Sequence, residues 1–438
     1  MIIYQLAPGG AAGPAGAASY DPPLAYNPGS AMANLSSRRD FLRAGAVATT
    51  AASYGRILGA NDRIRLGIIG TGGRGQYLMK EVNGIGAAEW VAVCDVYSVR
   101  RDQAAGIAGG SPKTYNEHEH LLERNDIDAV IVATPDHWHS AITVDACKAG
   151  KDVYVEKPMV HFPAAGQAIV RAAGENKRVV QVGMQARAIP HFQKARKLFV
   201  DSGAIGKVGL VRTWYDENGG YLLQPPPGME RQPDGLDWQR WLGPGPKIAW
   251  DPGVYFSPYK WLHYDGGMIM GIGIHVIDSA HQFMGLHQPS AAVAAGGIYA
   301  FPDRDTPDTV NLALEYPQSL NVTFEAEILS TGTSPTSDAG IELRGTGGQL
   351  RVLRYTPKVG YEFRAKGKAK EPPVTAPGDP ASAEHLLRNW LDCIRTRQKP
   401  VANEVEGYYS AMACFMGRRA LETKSRVVWD AAWDLPAA

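Results

Sequence analysis

The chain is poor in cysteine: among 438 residues there are four, Cys94, Cys147, Cys393 and Cys414, widely spaced and without a C-x-x-C pair. That excludes a disulfide framework and a thiolate zinc site, leaving buried free thiols. Charge of one sign is lacking too, since 45 basic against 44 acidic residues give a net +1. Such a balance leaves no electrostatic footprint for nucleic acid or an anionic membrane, and neither is an expected partner. No apolar run approaches the ~20 residues of a spanning helix, so no membrane anchor is expected. The histidine pairs His118/His120 and His137/His139 have no further ligands at metal spacing; no metal is expected. What remains is an ordinary globular composition, 45% hydrophobic and 20% charged, long enough for roughly two to three domains.

Glycine is abundant, with 49 residues. The apolar run Ile64, Leu66, Ile68, Ile69 delivers Gly70, Gly72 and Gly75 in G-x-G-x-x-G spacing, a helical pattern follows, and a second apolar run, Trp90 to Cys94, ends on Asp95. This is a dinucleotide-binding βαβ signature: one glycine for the tight turn, one for close approach of backbone N–H groups to a pyrophosphate, one for packing of helix on sheet. Gly73 and Arg74 fall in the same loop, at the helix N-terminus that faces the phosphates. Asp95 stands 20 residues beyond Gly75, where its carboxylate accepts from a ribose diol and repels a 2′-phosphate. NAD is favoured over NADP, a preference that nearby Arg100 and Arg101 soften.

Upstream, Ser37-Arg38-Arg39-Asp40-Phe41-Leu42 and the mildly apolar Ala44 to Ala52 read as a twin-arginine export signal, which engages the machinery that moves folded proteins. No cysteine follows, so no lipid anchor is expected. Cleavage is expected between Ala52 and Ala60. Residues 1–31, rich in Ala, Gly and Pro, precede the signal awkwardly, and translation is expected to begin at Met32; a peptide from residues 1–31 recovered from cells overturns that.

From Asn61 to about Gln185 strands and helices alternate, with the β-branched run Asp128 to Ala133, a helix from Ser140 to Ala149, and strands at Asp152 to Val155 and Val179 to Val182. After Gln185 come a helix at His191 to Ser202 and a strand at Val208 to Trp214. A Pro/Gly/aromatic surface excursion follows from Gly219 to Tyr259. Asp308 to Tyr316 and Leu320 to Ile328 alternate as a hairpin; Ala291 to Tyr299, Ile341 to Arg344, Leu350 to Tyr355 and Tyr361 to Arg364 add strands. The sum is an antiparallel sheet of six or seven strands with helices on one face. The expected fold class is α/β: an N-terminal Rossmann dinucleotide-binding domain (61–185) plus a C-terminal α+β domain with an open antiparallel sheet (186–380). Helices at Ala383 to Arg397 and Glu406 to Thr423 form a region (381–438) that closes back on the first domain, and residues 1–60 are extension and signal.

Ligands of a doubly wound sheet lie outside the carboxyl ends of its strands, where Thr134-Pro135-Asp136-His137-Trp138-His139 and Glu156-Lys157-Pro158 fall. The stretch TPDHWHSAITVDACKAGKDVYVEKP resembles the signature of the Gfo/Idh/MocA (glucose-fructose oxidoreductase and inositol dehydrogenase) family, and the resemblance extends over nearly all of the chain after Ala60. GIGIHVID, LDWQRWLGPGP and the C-terminal RNWLDCIRTRQKPVANEVEGYYSA are similar to its exported branch. The resemblance implies a catalytic Lys157 beside nicotinamide and carbinol, and a His275 that meets substrate and shares proton transfer, with Asp278 orienting it or the sugar. Thr134, Pro135, His139 and Glu156 are expected along the cofactor, and Arg187, Tyr215 and Trp261 in the sugar pocket, since sugars bind through planar hydrogen-bonding groups and aromatic faces. A lysine in a partly desolvated cleft is suited to that task. Many members carry Asp or Asn four residues before the histidine; this chain has Gly271.

The implied function is an exported NAD(P)-dependent oxidoreductase acting on a sugar, cyclitol or related polyhydroxy compound, its cofactor tightly held because none is supplied outside the cytoplasm. The exposed sheet face implies a homo-oligomer. Two alternatives stand beside it: an NAD-dependent glycosidase or lyase working by transient C3 oxidation and elimination, and a non-catalytic sugar or dinucleotide sensor.

Overall fold

The computed structural model describes residues 63–215, 224–329 and 339–435. The twin-arginine segment and its cleavage region lie outside them. Among the described residues no helix is long and apolar enough to cross a membrane, and all four cysteines are buried free thiols.

The first half is a wound sheet. Its strands are β1 (Ile64–Ile69), β2 (Ala88–Cys94), β3 (Lys113–Tyr115), β4 (Ala129–Val132), β5 (Asp152–Val155) and β6 (Val180–Val182). The helices between them are α1 (Gly73–Ile85), α2 (Ser98–Ala108), the short α3 (His118–Leu122), α4 (Asp136–Lys148) and α5 (Pro163–Glu175). All neighbours pair in parallel in the order β3-β2-β1-β4-β5-β6. β4 and β5 are buried along their whole length, as runs covered by helices on both faces must be. Strand order reverses between β1 and β4, so the connections leave to opposite sides and open a crevice at the carboxyl ends of these strands.

Next come α6 (Pro190–Ala195), which runs on as a π-helical turn through Asp201, and β7 (Val208–Tyr215). Then follow α7 (Trp238–Leu242), α8 (Pro252–Phe256), a second π-helical turn (Ile269–Gly273) and α9 (Ile274–Met284). The remaining strands are β8 (Ala291–Gly297), β9 (Thr309–Tyr316), β10 (Leu320–Glu327), β11 (Ala339–Gly345), β12 (Gly348–Leu353), β13 (Tyr361–Ala365), β14 (Val374–Ala376) and β15 (Val427–Val428). Helices α10 (Glu384–Thr396) and α11 (Glu404–Thr423) complete the chain.

Among the described residues the second sheet has nine strands in the order β14-β13-β12-β11-β7-β10-β9-β8-β15, where the pattern predicts six or seven. The two extra strands, β14 and β15, are edge pieces of three and two residues, too short to show a period of two. β7 and β10 pair in parallel, against the antiparallel expectation. Hairpin neighbours are antiparallel because a tight turn reverses the chain; β7 and β10 share no turn. In the β9–β10 hairpin the buried partners Leu314/Val322 and Leu312/Phe324 stand opposite one another under α9 and α11.

The segment expected as a surface excursion is a strap with its own small core. Trp238 stacks on Trp241 at 4.8 Å, and Leu236, Leu242, Val254, Tyr255 and Tyr264 are buried with them. It is pinned to the first domain: Tyr97 bridges Leu236, Asp237 N–H donates to the Val96 carbonyl at 2.9 Å, and Trp138 Nε1 donates to the Trp241 carbonyl at 2.9 Å.

The closing helices tie the halves together. α10 packs on α1, and Arg397 at its end holds the fully buried carboxylate of Asp152 on β5 at 2.5 and 3.0 Å. α11 lies against α5, β8 and α9. Where α5 meets α11, a Cβ on Gly166 would stand 2.3 Å from the Tyr408 ring. Gly166→Ala is therefore expected to destabilise the protein by about 1–3 kcal/mol through overpacking, read as a lower urea midpoint.

Candidate functional site

The crevice is shaped for a dinucleotide. Gly70 leaves β1 at φ +88°, and a Cβ there would lie 2.5 Å from the Thr134 backbone nitrogen, so the β1 and β4 loops approach as only glycine allows. Gly75 packs in the first turn of α1. No side chain caps α1 at Gly72, and the N–H groups of Gly73 and Arg74 head the helix, the arrangement that receives a phosphate. Asp95 closes the other side: its Oδ2 accepts from the Thr71 N–H at 2.7 Å and its Oδ1 from the Tyr97 N–H at 2.9 Å, which seats the carboxylate against the glycine loop. Arg100 lies over the Tyr255 ring, 3.3 Å from where a Gly72 Cβ would be. Arg101 turns away to the Asp95 carbonyl at 2.6 Å and Asn116 at 3.0 Å.

Beyond the carboxyl ends of β4 and β5 the two halves line an open-mouthed cavity of about 400 Å³. Arg74, Thr134, Asp136, His139, Glu156 and Lys157 reach it from the first sheet; Gln185, His275, Arg354 and Tyr355 face them. Arg74 binds Glu156 through Nε at 2.8 Å and a terminal nitrogen at 2.7 Å. The His139 ring nitrogens lie 2.9 Å from the carbonyls of Pro158 and Thr134, tying the two motif loops together. The Lys157–Pro158 peptide is cis. Lys157 Nζ donates to the Gly271 carbonyl at 2.7 Å, in the π-helical turn that precedes α9.

His275 stands in the first turn of α9. Burial, reinforced by the charges of Arg354, Lys157 and Arg74, holds it well below its usual 6.5, so the imidazole is neutral. Its Nδ1 is buried without a hydrogen-bond partner among the described residues. A buried polar atom without a partner, on the wall of a cavity, is an atom waiting for a ligand. Lys157 and His275 thus converge on one polar space at the carboxyl edge of the first sheet.

Residues 64–184 match the family model described as "Oxidoreductase family, NAD-binding Rossmann fold", and residues 192–351 match the "GFO/IDH/MocA C-terminal domain", together more than half of the chain. The chain belongs to the Gfo/Idh/MocA family. It is an NAD(P)-dependent oxidoreductase of CH–OH groups. An inositol 2-dehydrogenase of Rhizobium meliloti (strain 1021) is 24% identical over 80% of this chain and 88% of its own. A glycosyl hydrolase family 109 protein of Solibacter usitatus (strain Ellin6076) is 34% identical over 28% of this chain and 33% of its own. A levoglucosan dehydrogenase in complex with NADH and levoglucosan shares the fold, with a TM-score of 0.67 at 18% identity, over 84% of this chain and 99% of that one.

In this Gfo/Idh/MocA chain not every residue expected at the site reaches it. Arg187 and Asp278, assigned above to the sugar pocket, pair with each other instead. Arg187 Nε lies 2.9 and 3.0 Å from the Asp278 oxygens, Glu406 takes a second guanidinium nitrogen at 2.9 Å, and Ser410 donates to Asp278 at 2.8 Å. Asp278, one helical turn beyond His275, is taken up by the contact with α11, where Ser410 donates to it. Trp261 joins the strap's aromatic cluster rather than the cavity wall. Tyr215 stands one layer back, its hydroxyl 2.9 Å from that of Tyr355. Pro135 precedes α4 without lining the cavity. His137 and Trp138 turn to the strap, both on the Trp241 carbonyl, and among the described residues no three His, Cys, Asp or Glu side chains are grouped to hold a metal.

Asp136, Gln185, Arg354 and Tyr355 line the cavity without having been singled out for it. Asp136 lies inside the quoted TPDHWH motif, so a signal was at hand; Arg354 and Tyr355 follow β12 and owe their place to the second sheet alone. Because Arg187 and Asp278 are 8% and 0% exposed, Arg187→Met or Asp278→Leu alone is expected to cost about 3–5 kcal/mol by urea denaturation. The double variant should cost clearly less than the sum, and simple additivity would show that the two are not coupled.

Proposed function

We propose that this chain oxidises a secondary hydroxyl of a sugar, cyclitol or related polyhydroxy compound, outside the cytoplasm, with a cofactor held too tightly to exchange. The observation that carries the reading is the convergence of Lys157 and the unpartnered Nδ1 of His275 on one polar cavity. Lys157 hydrogen-bonds the reacting hydroxyl and carries its proton away, while neutral His275 fixes the same or the adjacent hydroxyl. Gln185, Arg354 and Tyr355 offer further polar groups to a polyol. The bound dinucleotide supplies the hydride acceptor; Gly70, Gly73, Arg74 and Asp95 would hold it. The relatives' names, inositol 2-dehydrogenase and levoglucosan dehydrogenase, support a polyhydroxy substrate.

The strap, pinned beside Asp95 through Tyr97 and Val96, supports a retained cofactor, and the Arg38-Arg39 motif supports export. Self-association through the open face of the nine-stranded sheet belongs to the same proposal. Native mass spectrometry of the purified protein, followed by denaturation, reads cofactor identity, retention and subunit number together.

A second reading is cleavage of a glycoside by transient C3 oxidation, loss of the C2 proton and elimination. Gly271, which meets Lys157 through its backbone carbonyl and has no side-chain carboxylate to add, and the local similarity to the glycosyl hydrolase family 109 protein favour it. Aryl glycosides separate the two: aglycone release with C2 deuterium exchange marks elimination, accumulation of a ketosugar marks dehydrogenation. In either case Lys157→Ala is expected to lower kcat by about 10²–10⁴-fold while the protein still carries its nicotinamide absorbance. Unchanged turnover would remove Lys157 from the chemistry.

A further inference from the structure

Three arginines stand around the glycine turn, and two of them are already engaged. Arg74 is paired with Glu156 at 2.7 Å, and Arg101 gives one terminal nitrogen to the Asp95 carbonyl and to Asn116. Arg100, in the first turn of α2, keeps its charge to itself. Among the described residues its guanidinium makes no hydrogen bond and no ion pair; what it meets is the Tyr255 ring, 4.8 Å from the ring centre. On its other side lies Gly72, where a Cβ would stand 3.3 Å from Arg100 Nη1. This is the glycine whose bareness lets a pyrophosphate come close to the backbone.

The strap sets that position. It grips the start of α2 two residues before Arg100: the Ser98 N–H donates to the Gly235 carbonyl at 3.0 Å, and a side chain on Gly235 would run into Ser98 Oγ. Tyr255 in turn packs on Trp241 and Trp250, at 5.6 and 5.4 Å between ring centres. It is 4% exposed, yet its hydroxyl has no hydrogen-bond partner among the described residues. Burial pushes that hydroxyl up, so it stays protonated and able to donate, and the nearby charges acting on it are those of Arg100 and Asp95. An uncommitted guanidinium over the phosphate-binding glycine, backed by a buried hydroxyl without an acceptor, is an incomplete site.

We propose that Arg100 and Tyr255 are dinucleotide-binding residues: Arg100 neutralises the pyrophosphate across the glycine turn, and the Tyr255 hydroxyl donates to an oxygen of the same adenosine diphosphate half. The head of α1 offers only the partial charge of its N–H groups. Arg100 adds a full one, and because ring and strap already hold it, little side-chain freedom is lost when the ligand arrives. The strap thus retains the cofactor through an ionic contact and not by cover alone. A pyrophosphate is the fitting anion, since the guanidinium stands at Gly72, whereas at the ribose the Asp95 carboxylate repels a 2′-phosphate. The contact deepens the retained-cofactor reading, on which only the absolute rate of release rests.

Labelled NAD, exchanged into the purified holoprotein and chased with unlabelled NAD, reads the contact without turnover. Arg100→Gln should release the label about 10- to 100-fold faster, and with a weaker dependence on salt, because the charge that salt screens is gone. Arg100→Lys should recover part of the retention. Tyr255→Phe, which keeps the ring and removes the hydroxyl, should release the label several-fold faster than the native protein. In competition against the label, ADP should lose ground to adenosine in Arg100→Gln, while NADP keeps its native ranking against NAD.

A native release rate in Arg100→Gln overturns the proposal, and a native rate in Tyr255→Phe overturns the part given to the hydroxyl. A selective loss of NADP in Arg100→Gln would put the guanidinium at a 2′-phosphate and overturn its assignment to the pyrophosphate. Rapid release already from the native protein strikes the retained cofactor proposed above, while the ratio of variant to native rates still decides Arg100.

Discussion

The active cleft depends on one contact: the ammonium of Lys157, at the end of a strand in the first sheet, on the Gly271 carbonyl in a helical turn of the second half. The partners are 114 residues apart, and their bond ties the two halves together across the cavity. A carbonyl is a neutral acceptor. It orients the ammonium without cancelling its charge, while His275 is kept neutral first by burial and then by the charges of Arg354, Lys157 and Arg74. A carboxylate in that place would have offset the charge. The glycine thus alters the electrostatics of the cleft and not only its inventory of bases.

The architecture around that contact is stiff. The first sheet is clamped from behind by Arg397 on Asp152, from the side by α11 against α5, and from above by the strap on Val96, Tyr97 and Trp138. Arg187, Asp278, Glu406 and Ser410 weld α9 to α11 in the interior. A charged cluster spent this way cannot recognise a sugar, but it sets the rotation of α9 and therefore the direction in which His275 points.

Much of this was legible in the residues. The first sheet showed as apolar runs such as Asp128 to Ala133 because strands covered on both faces need not alternate, and the glycine spacing marked the crevice before any coordinates. The β9–β10 hairpin showed as strict alternation because one face meets water. Lys157 and His275 were found through motifs. The pairing of Arg187 with Asp278 was not legible, because it joins residues 91 apart, nor was the seat of Trp261, whose neighbours in the strap are near in sequence but are set by how that segment folds on itself. Local pattern carries information about which face a residue takes; it carries none about the partner that face will meet.

The parallel pairing of β7 with β10 bears on how the protein is made. β7 lies in the middle of the nine-stranded sheet, yet its partner on one side is the segment Leu320–Glu327 and on the other Ala339–Gly345. A ribosome must synthesise more than a hundred residues after β7 before either edge of that strand can be covered. Through that interval its unpaired N–H and C=O groups form an open template for adhesion to other nascent chains, and the late closure of such distant contacts makes assembly slow. The first sheet, complete by Val182, can meanwhile stand finished as a platform on which the rest condenses.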